Sequence, residues 1–373
     1  MVIEISPEER DDDYDLTRLN IRYDKGNFDS PLRIVTRNDL NAKDNLGANI
    51  PLTRERPIFI YEEYINEEIA NNILSKNGYL SEMLNKIRPF LERTETSGAL
   101  KLFYPKFTND LLNISSERLM DILKFIKDLV DNINVDALVI NYFNNDFINN
   151  SNKPIIPVLR IEGDEGYKIV TNKLNELIRE SSQIIPFIGI SYASYPRANL
   201  SYNFIRANLD RIHENKKGII TLDAPRTTFQ QLDKEISALH YSSFIVSDLV
   251  SERFYYSRGW KESALRIFDR RNLALPYAKD LESKELEDDT TNYFPNDAEL
   301  QKLYERFKNN QLSKSDITKK RGVYMSRVHE NLASSKEYRI MVKEIRSNNL
   351  REYITSKGRL MNLLINEKFI YKK

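Results

Sequence analysis

The stretches IIPVLRI (residues 155–161) and IIPFIGI (residues 184–190) decide the fold class of this 373-residue chain. Both are continuous apolar runs rich in β-branched residues, not strict alternations of apolar and polar residues. Such runs are typical of strands that are buried on both faces in a parallel sheet. A third stretch of this kind, SSFIVSD, covers residues 242–248. We therefore expect a parallel sheet that is covered by helices.

Short runs of β-branched and aromatic residues recur along the chain, and we predict a strand at each of them. The eight runs cover residues 32–35, 58–61, 99–104, 137–142, 155–161, 184–191, 218–223 and 244–248. Amphipathic helical patterns lie between them, such as residues 119–130 behind the candidate caps Ser115 and Ser116. Strands that alternate with helices indicate an α/β fold, and eight of them favour a closed (β/α)8 TIM-type barrel over an open doubly wound sheet.

Charge is distributed unevenly along the chain. Residues 300–373 hold 18 Lys and Arg against 7 Asp and Glu, a local balance of +11, whereas the whole chain carries only +1. A basic block beside an acidic one indicates nucleic acid or an anionic surface as a partner, and a solvated helical face is the alternative. We expect a polar N-terminal arm over residues 1–30, a barrel over 31–280, and a connector with a basic helical region over 281–373.

Composition excludes several classes of site. The chain has no Cys, so it holds no disulfide, thiolate nucleophile or Cys-built zinc site. Its three His residues, His213, His240 and His329, lack ligand spacing and are expected to pack or to lie on the surface. We expect no metal and no cofactor. No apolar run is long enough to cross a membrane and the first residues are acidic, so a cytoplasmic protein without a membrane partner is expected.

Any acid, base or nucleophile must therefore be a carboxylate. A barrel places its active site at the carboxyl ends of its strands, so residues that follow the predicted strands are the candidates. They are acidic and amide-rich, which suits recognition of the edge of a nucleobase, although the tips of loops are commonly polar. The candidates are Glu62, Glu63, Asn141, Asn144, Asp146, Glu162, Asp164, Asp223, Arg226, Asp248, Glu252 and Arg253, with Glu95, Thr96 and Ser97 before the third run.

Basic residues in the last part of the chain suit contact with phosphates. An apolar helical face that includes Tyr338 and Met341 has Arg side chains on the opposite side. Each phosphate that such a stripe neutralises adds a salt-dependent contribution to affinity. The candidates for nucleic-acid binding are Lys319, Lys320, Arg321, Arg339, Lys343 and Arg346.

The order of several short motifs resembles the tRNA-guanine transglycosylase family, especially its archaeal branch and its DNA-modifying relatives. That family has TDSG before a strand, a helix that opens with SPEE, strands that end in Asp, IQGG, IG and FD, and a closing helix with HNL. The chain has, in the same order, Thr94-Glu95-Thr96-Ser97-Gly98, Ser115-Ser116-Glu117, Asn141, Ile161-Glu162-Gly163, Ile188-Gly189, Ser247-Asp248, Tyr293-Phe294-Pro295 and His329-Glu330-Asn331-Leu332. The resemblance covers roughly residues 90–365.

The resemblance implies a (β/α)8 barrel that exchanges guanine for a 7-deazaguanine in tRNA or DNA, the chemistry of queuosine and archaeosine formation. One aspartate holds the sugar as a covalent intermediate and a second carboxylate acts as acid and base. It implies Asp248 as the nucleophile, with Asp269 as the competing position, and Glu95 as the acid and base. The implied substrate-binding residues are Asn141, Glu162, Gly163, Gly189 and Asp223.

The chain also departs from the family. The family's zinc ligands are absent because there is no Cys. Glu95 or Thr96 stands where the first aspartate would be, and Asn141 and Glu162 stand at the base-reading positions. Two alternatives therefore remain open: a catalytically silent relative that binds nucleic acid or a partner subunit, and an unrelated carboxylate-dependent barrel enzyme with a small substrate. A homodimer and a heterodimer are both compatible with this interpretation.

Overall fold

The computed structural model describes most of the chain. The described residues are 2–11, 14, 16–93, 96–108, 111, 115–141, 151–161, 166–193, 195–226, 237–253, 265–278, 291–358 and 364.

A nine-stranded parallel sheet forms the centre of the protein. Its order is β4-β12-β11-β10-β9-β8-β7-β6-β5. The strands are β4 Leu32–Arg33, β5 Val35–Thr36, β6 Ile58–Ile65, β7 Leu100–Phe107, β8 Ala137–Ile140, β9 Ile155–Leu159, β10 Phe187–Ser191, β11 Gly218–Ala224 and β12 Leu249–Glu252. The first and last strands of this order, β4 and β5, are separated in the chain by Ile34 alone. The sheet is therefore nearly closed into a barrel, as expected for an α/β protein of the TIM type.

Side chains alternate between the inside and the outside of this barrel. Ile58 and Ile60 of β6 lie in one apolar cluster with Leu100 and Leu102 of β7, inside the barrel. Phe59, Tyr61 and Phe103 belong instead to the larger cluster between the sheet and the helices. The next inward positions toward the carboxyl ends of β6 and β7 are occupied by polar residues.

A three-stranded antiparallel sheet covers the amino-terminal end of the barrel. It consists of β1 Glu4–Asp11, β2 Leu16–Tyr23 and β3 Gly26–Asp29. Leu19 and Ile21 join the apolar cluster inside the barrel, and the Tyr23 hydroxyl donates to the carbonyl oxygen of Gly98 at 2.6 Å. The predicted polar arm over residues 1–30 is therefore wrong. Its Asp and Arg residues mask an alternation in the second half of β2, where Leu19, Ile21 and Tyr23 are apolar and buried.

Helices cover the outside of the sheet. They are α1 Arg37–Leu46, α2 Leu52–Glu55, α3 Glu67–Ser75, α4 Tyr79–Leu91, α5 Ser116–Asp131, α6 Tyr167–Arg179, α7 Tyr195–Ala207, α8 Leu209–Glu214, α9 Ala238–Ile245, α10 Ala298–Lys308, α11 Lys314–Thr318, α12 Arg321–Arg346 and α13 Leu350–Ser356. The predicted helix behind Ser115 is confirmed as α5, whose N-cap residue is Ser115.

Seven of the eight predicted strands overlap an observed one, and the last does not. Residues 244 and 245 belong to α9, and β12 begins at Leu249. The apolar run misled the prediction because a short buried helix and a short buried strand have the same composition. Asp248 therefore precedes the strand that it was expected to end.

A buried ion cluster joins α12 to the carboxyl ends of the strands. The Arg33 guanidinium lies 2.7 Å from a carboxylate oxygen of Glu252 and 3.2 Å from one of Glu330. Arg327 lies 2.9 Å from Asp39 and 3.0 Å from Glu252. Burial acts to raise the pKa of Asp39, but Arg327 and Arg33 hold it well below its usual range. The N-terminal half of α12 is thereby fixed at the carboxyl end of the barrel.

Removal of one carboxylate should unfold the protein more easily. The Glu330 carboxylate contacts both Arg33 and Arg226, and Glu330→Ala removes it. We therefore expect the free energy of unfolding to fall by about 3–5 kcal/mol. Glu176→Ala, at an exposed position within α6, is the control and should change it by no more than about 0.5 kcal/mol. Urea unfolding measures both values, and equal effects would contradict a stabilising role for the cluster.

His240 should make the stability of the fold depend on pH. Its ring stacks on Tyr338 and Phe268, with centroids 4.5 and 5.2 Å apart, and burial lowers the pKa of His240 to about 3. Histidine in the unfolded chain titrates near pH 6.5, so its stabilising contribution is complete above about pH 6.5 and is lost as the pH falls toward 3. Between pH 7 and pH 5, His240→Phe should lose less stability than the parent, as measured by urea unfolding. Parallel curves would contradict this assignment.

Candidate functional site

Polar side chains gather at the carboxyl-terminal mouth of the barrel. Glu62 and Tyr64 continue the inward positions of β6, and Tyr104 and Lys106 continue those of β7. Glu62 is 2% exposed and Tyr104 is 1% exposed. Asn141 follows β8 directly. We call these five residues, together with Asp223, the mouth cluster.

Asp223 reaches the mouth because the backbone of β11 is irregular. The register between β11 and β12 shifts between Thr221 and Ala224, which indicates a bulge. Within it, Asp223 has a φ of 61°, in the left-handed region that few residues other than Gly adopt. Strict alternation after Leu222 would turn the Asp223 side chain outward. The bulge turns it toward the inside of the barrel, and backbone strain of this kind is concentrated at functional sites.

An ion pair between Lys106 and Asp223 crosses the mouth. The Lys106 ammonium donates to a carboxylate oxygen of Asp223, and the side chains are 13% and 16% exposed. Their strands, β7 and β11, are four places apart in the sheet order, so the two residues approach from opposite sides. The Lys106 ammonium also lies 5.2 Å from the centre of the Tyr64 ring.

Two tyrosines couple the carboxylates of the mouth cluster. Burial raises the pKa of Tyr64, and the charges of Glu62 and Asp223 raise it further, against the opposing effect of Lys106. Burial also raises the pKa of Tyr104 well above its usual value, with Asp223 and Glu62 adding to it. Both phenols therefore stay protonated at neutral pH and can donate hydrogen bonds. Both carboxylates act on the same two phenols, so the four side chains form one electrostatic unit.

The amide of Asn141 completes the mouth cluster. The side-chain oxygen of Asn141 accepts a hydrogen bond from the Tyr104 hydroxyl. The NH2 group of the same amide therefore points away from Tyr104. On the next strands of the same wall, the Ser191 hydroxyl accepts from the backbone NH of Ile161 at 2.9 Å and ties the ends of β9 and β10 together. Carboxylates, an amide and phenols together can donate to and accept from a polar planar ring.

The implied nucleophile Asp248 lies at the other end of the barrel. One carboxylate oxygen accepts from the backbone NH of Ile219 at 2.7 Å and lies 3.3 Å from Nε2 of His213. Ile219 is the second residue of β11, at its amino-terminal end. The alternative, Asp269, fixes a turn by accepting from the NH of Arg271 and the side chain of Asn272. Both placements at a strand end were therefore wrong.

The carboxyl end of β12 presents no acidic side chain to the mouth. Leu249 lies inside the barrel, so alternation places Ser251 inward and Glu252 outward. Glu252 accordingly contacts Arg33 and Arg327 outside the sheet. The position that the resemblance assigns to a nucleophile at the end of this strand is occupied by a serine.

The other implied site residues are not brought to the mouth. Gly189 lies on β10, and a Cβ there would meet Val158 at 3.0 Å, so its close neighbour is the adjacent strand. Thr96 precedes β7 and lies at the amino-terminal end of the barrel. Glu63 and Arg226 lie outside the sheet, where they contact Lys86 and Glu330. The candidates Glu95, Asn144, Asp146, Glu162, Gly163 and Asp164 lie outside the described residues.

The six basic candidates form two groups at opposite ends of one helix. Lys319, Lys320 and Arg321 lie at the start of α12, next to the carboxyl ends of the strands. Arg339, Lys343 and Arg346 lie in its second half, and Arg346 is 3.5 Å from Asp29 of the N-terminal sheet. A 26-residue helix is about 39 Å long. The two groups therefore cannot form a single compact patch.

Three members of the mouth cluster were missed by the sequence analysis, namely Tyr64, Tyr104 and Lys106. The predicted runs ended at residues 61 and 104, whereas β6 and β7 continue to Ile65 and Phe107. The available signal was the alternation itself, because Leu100, Leu102, Tyr104 and Lys106 occupy every second position.

Among the described residues, no group of three possible metal ligands was found. None of the described helices combines the length and apolarity that a membrane span requires.

The Lys106 and Asp223 pair should show energetic coupling. Each of Lys106→Met and Asp223→Asn removes one charge from a poorly exposed pair, and the double variant removes both. We expect a coupling free energy of roughly 1–3 kcal/mol from urea unfolding of the four proteins. Additive effects, within about 0.3 kcal/mol, would contradict the ion pair across the mouth.

Comparison with protein-family models and with curated proteins yields no match for this chain.

Proposed function

We propose that the protein is a transglycosylase-like barrel that holds a guanine or 7-deazaguanine ring at the mouth and exchanges it in tRNA or DNA. The observation that carries the proposal is Asp223, which a bulge and a left-handed backbone turn into the mouth, where it pairs with Lys106 and lies near the phenols of Tyr64 and Tyr104. This proposal keeps the type of reaction that the sequence resemblance implies. It moves the nucleophile from Asp248 to Asp223.

The proposal counts residues 32–36 as one strand of an eight-stranded ring. Leu32 and Arg33 pair with β12, and Val35 and Thr36 pair with β6. In this (β/α)8 count, α12 comes after the eighth strand, beyond α10 and α11, and its Arg327 and Glu330 contact Glu252 of strand eight and Arg33 of strand one. All inward side chains near the carboxyl ends then share one mouth, as in other barrels of this type.

In the proposed reaction, a carboxylate oxygen of Asp223 bonds to C1′ of the sugar as the bond between C1′ and the base nitrogen breaks. The departing base keeps the electron pair and takes a proton from Glu62. The incoming base then gives a proton to Glu62, and its nitrogen displaces Asp223 from C1′. Lys106 holds the Asp223 side chain in the mouth through their ion pair, and Asn141 with the Tyr104 hydroxyl binds the edge of the ring.

Lys319, Lys320 and Arg321 are the proposed contacts to the nucleic-acid backbone. They lie at the N-terminal end of α12, whose Arg327 contacts Glu252 at the carboxyl end of β12, and this position supports a role in binding the strand from which a nucleotide is turned out. An enzyme of this kind needs such a surface because the target base has to leave its stack.

A second candidate is a catalytically silent protein that binds nucleic acid or a partner subunit. Two observations favour it. Ser251 occupies the inward position of β12, and Lys106 neutralises Asp223 across the mouth. Such a protein would bind tRNA or DNA with an affinity that falls steeply with salt, without exchange of a base.

Incorporation of labelled guanine or 7-deazaguanine base into tRNA and DNA tests the proposal. We expect the parent to exchange the base and Asp223→Asn and Asp223→Ala to lower the rate at least about 1,000-fold. Glu62→Gln should lower it about 100-fold to 10,000-fold, the usual range for loss of an acid and base. Asp248→Asn is the matched control and should exchange at the parental rate per folded molecule.

Exchange that survives Asp223→Ala but not Asp248→Asn would overturn the assignment of the nucleophile. Salt-sensitive binding of tRNA or DNA without exchange or a covalent adduct in the parent would favour the silent candidate. If neither exchange nor nucleic-acid binding is present, the mouth belongs to a carboxylate-dependent enzyme with a small substrate.

A further inference from the structure

A cleft of about 550 Å3 opens between α12 and the segment that joins α1 to β6. One wall is apolar and is formed by Ile50, Pro51 and Leu52, and Leu332 of α12 is a fourth apolar lining residue. The polar lining residues are Arg56, Ser335 and Arg339. Its volume is typical of sites for small molecules.

Arg56 lines this cleft and is held in place by a hydrogen bond. It is 1% exposed, and its Nη1 donates to the amide oxygen of Asn331 at 2.7 Å. The Asn331 amide nitrogen donates in turn to Asp39 at 2.8 Å. The guanidinium is thereby held in one place by the same cluster that fixes α12 to the barrel.

Arg339 adds a second guanidinium to the same cleft. Residues 331, 335 and 339 are spaced by four along α12, so Asn331, Ser335 and Arg339 lie on one face of the helix. Arg339 is exposed and lies at the entrance, whereas Arg56 is buried. Among the described lining residues there is no carboxylate. A buried guanidinium held by Asn331 and an exposed guanidinium therefore line the cleft together with one apolar wall.

The charge and shape of the cleft favour a phosphate monoester on a flat organic body. A monoester carries about −1.5 to −2 charges at neutral pH, which matches two guanidiniums better than a single carboxylate does. Guanidiniums also bind phosphate oxygens through paired hydrogen bonds. The apolar wall offers a surface for a ring attached to the phosphate, as in a nucleotide.

The cleft lies apart from the mouth. Arg56 precedes β6, whose carboxyl end carries Glu62 and Tyr64, so the cleft opens beside the amino-terminal half of the barrel wall. Arg339 is 18 residues beyond Arg321, the first residue of α12, which is about 27 Å along the helix axis. A ligand in the cleft would not occupy the mouth cluster.

We propose that this cleft is a second binding site, for the 5′-monophosphate of a nucleotide, with Arg56 and Arg339 on the phosphate and the ring against Pro51 and Leu52. The site takes either a free nucleotide or the phosphorylated 5′ end of a nucleic-acid strand, since both present the same group. It is independent of the base exchange proposed for the mouth.

Isothermal titration calorimetry with adenosine 5′-monophosphate and with adenosine tests this site. We expect the nucleotide to bind at least tenfold more tightly than the nucleoside, and Arg339→Ala to weaken the nucleotide at least tenfold. Arg339→Glu should abolish binding. Lys343→Ala, one turn further on the same exposed side, and Asp223→Asn, at the mouth, are controls that should bind as the parent does. Far-ultraviolet circular dichroism confirms that each variant is folded.

A 5′-phosphorylated oligonucleotide of five residues, with its unphosphorylated counterpart, distinguishes the two sources of the phosphate. Tighter binding of the phosphorylated strand than of the mononucleotide identifies a strand end, and equal binding identifies a free nucleotide. The proposal is overturned if the nucleotide and the nucleoside bind alike, if Arg339→Ala has no effect, or if Asp223→Asn removes the binding. Preference for octanoate over the nucleotide would overturn it as well.

Discussion

The segment of residues 32–36, which contains β4 and β5, is the constraint on which the rest of the structure depends. Its first half pairs with β12 and its second half with β6, so it brings together the two ends of the parallel sheet. Near closure directs every second side chain inward, and the polar residues at the carboxyl ends share one mouth. The buried cluster around Arg33 fixes this strand to α12 from outside. Closure of the sheet and placement of the long helix are thus coupled by the same residue.

The ion pair at the mouth depends on one exception to the alternation of side chains, at Asp223. Alternation alone supplies Glu62 and Lys106, but it would turn Asp223 away. The bulge in β11 and the left-handed backbone of Asp223 reverse that direction and allow an ion pair with Lys106 from the far side. The same geometry suits both candidate functions, because an ionised carboxylate held beside phenols can attack a sugar or simply bind a ring.

The sequence predicts the location of most strands because runs buried on both faces are apolar throughout. It fails at β12, where the apolar residues before Asp248 belong to the buried helix α9, and this error displaces the implied nucleophile to the wrong end of the barrel. Glu62, Asn141 and Asp223 could be predicted as strand-end residues. Lys106 could not be predicted as a site residue because the predicted strand stopped at Tyr104. The inward direction of the Asp223 side chain depends on a bulge, and the composition of the strand does not predict a bulge.

The position of a bound base tests the central claim most directly. A crystal soaked with guanine or a 7-deazaguanine base yields a difference electron-density map that locates the ring. The account predicts density at the carboxyl-terminal mouth, between Glu62 and Asp223 and within hydrogen-bond distance of Asn141. Density at the amino-terminal end, beside Asp248 and His213, with an unoccupied mouth would contradict it.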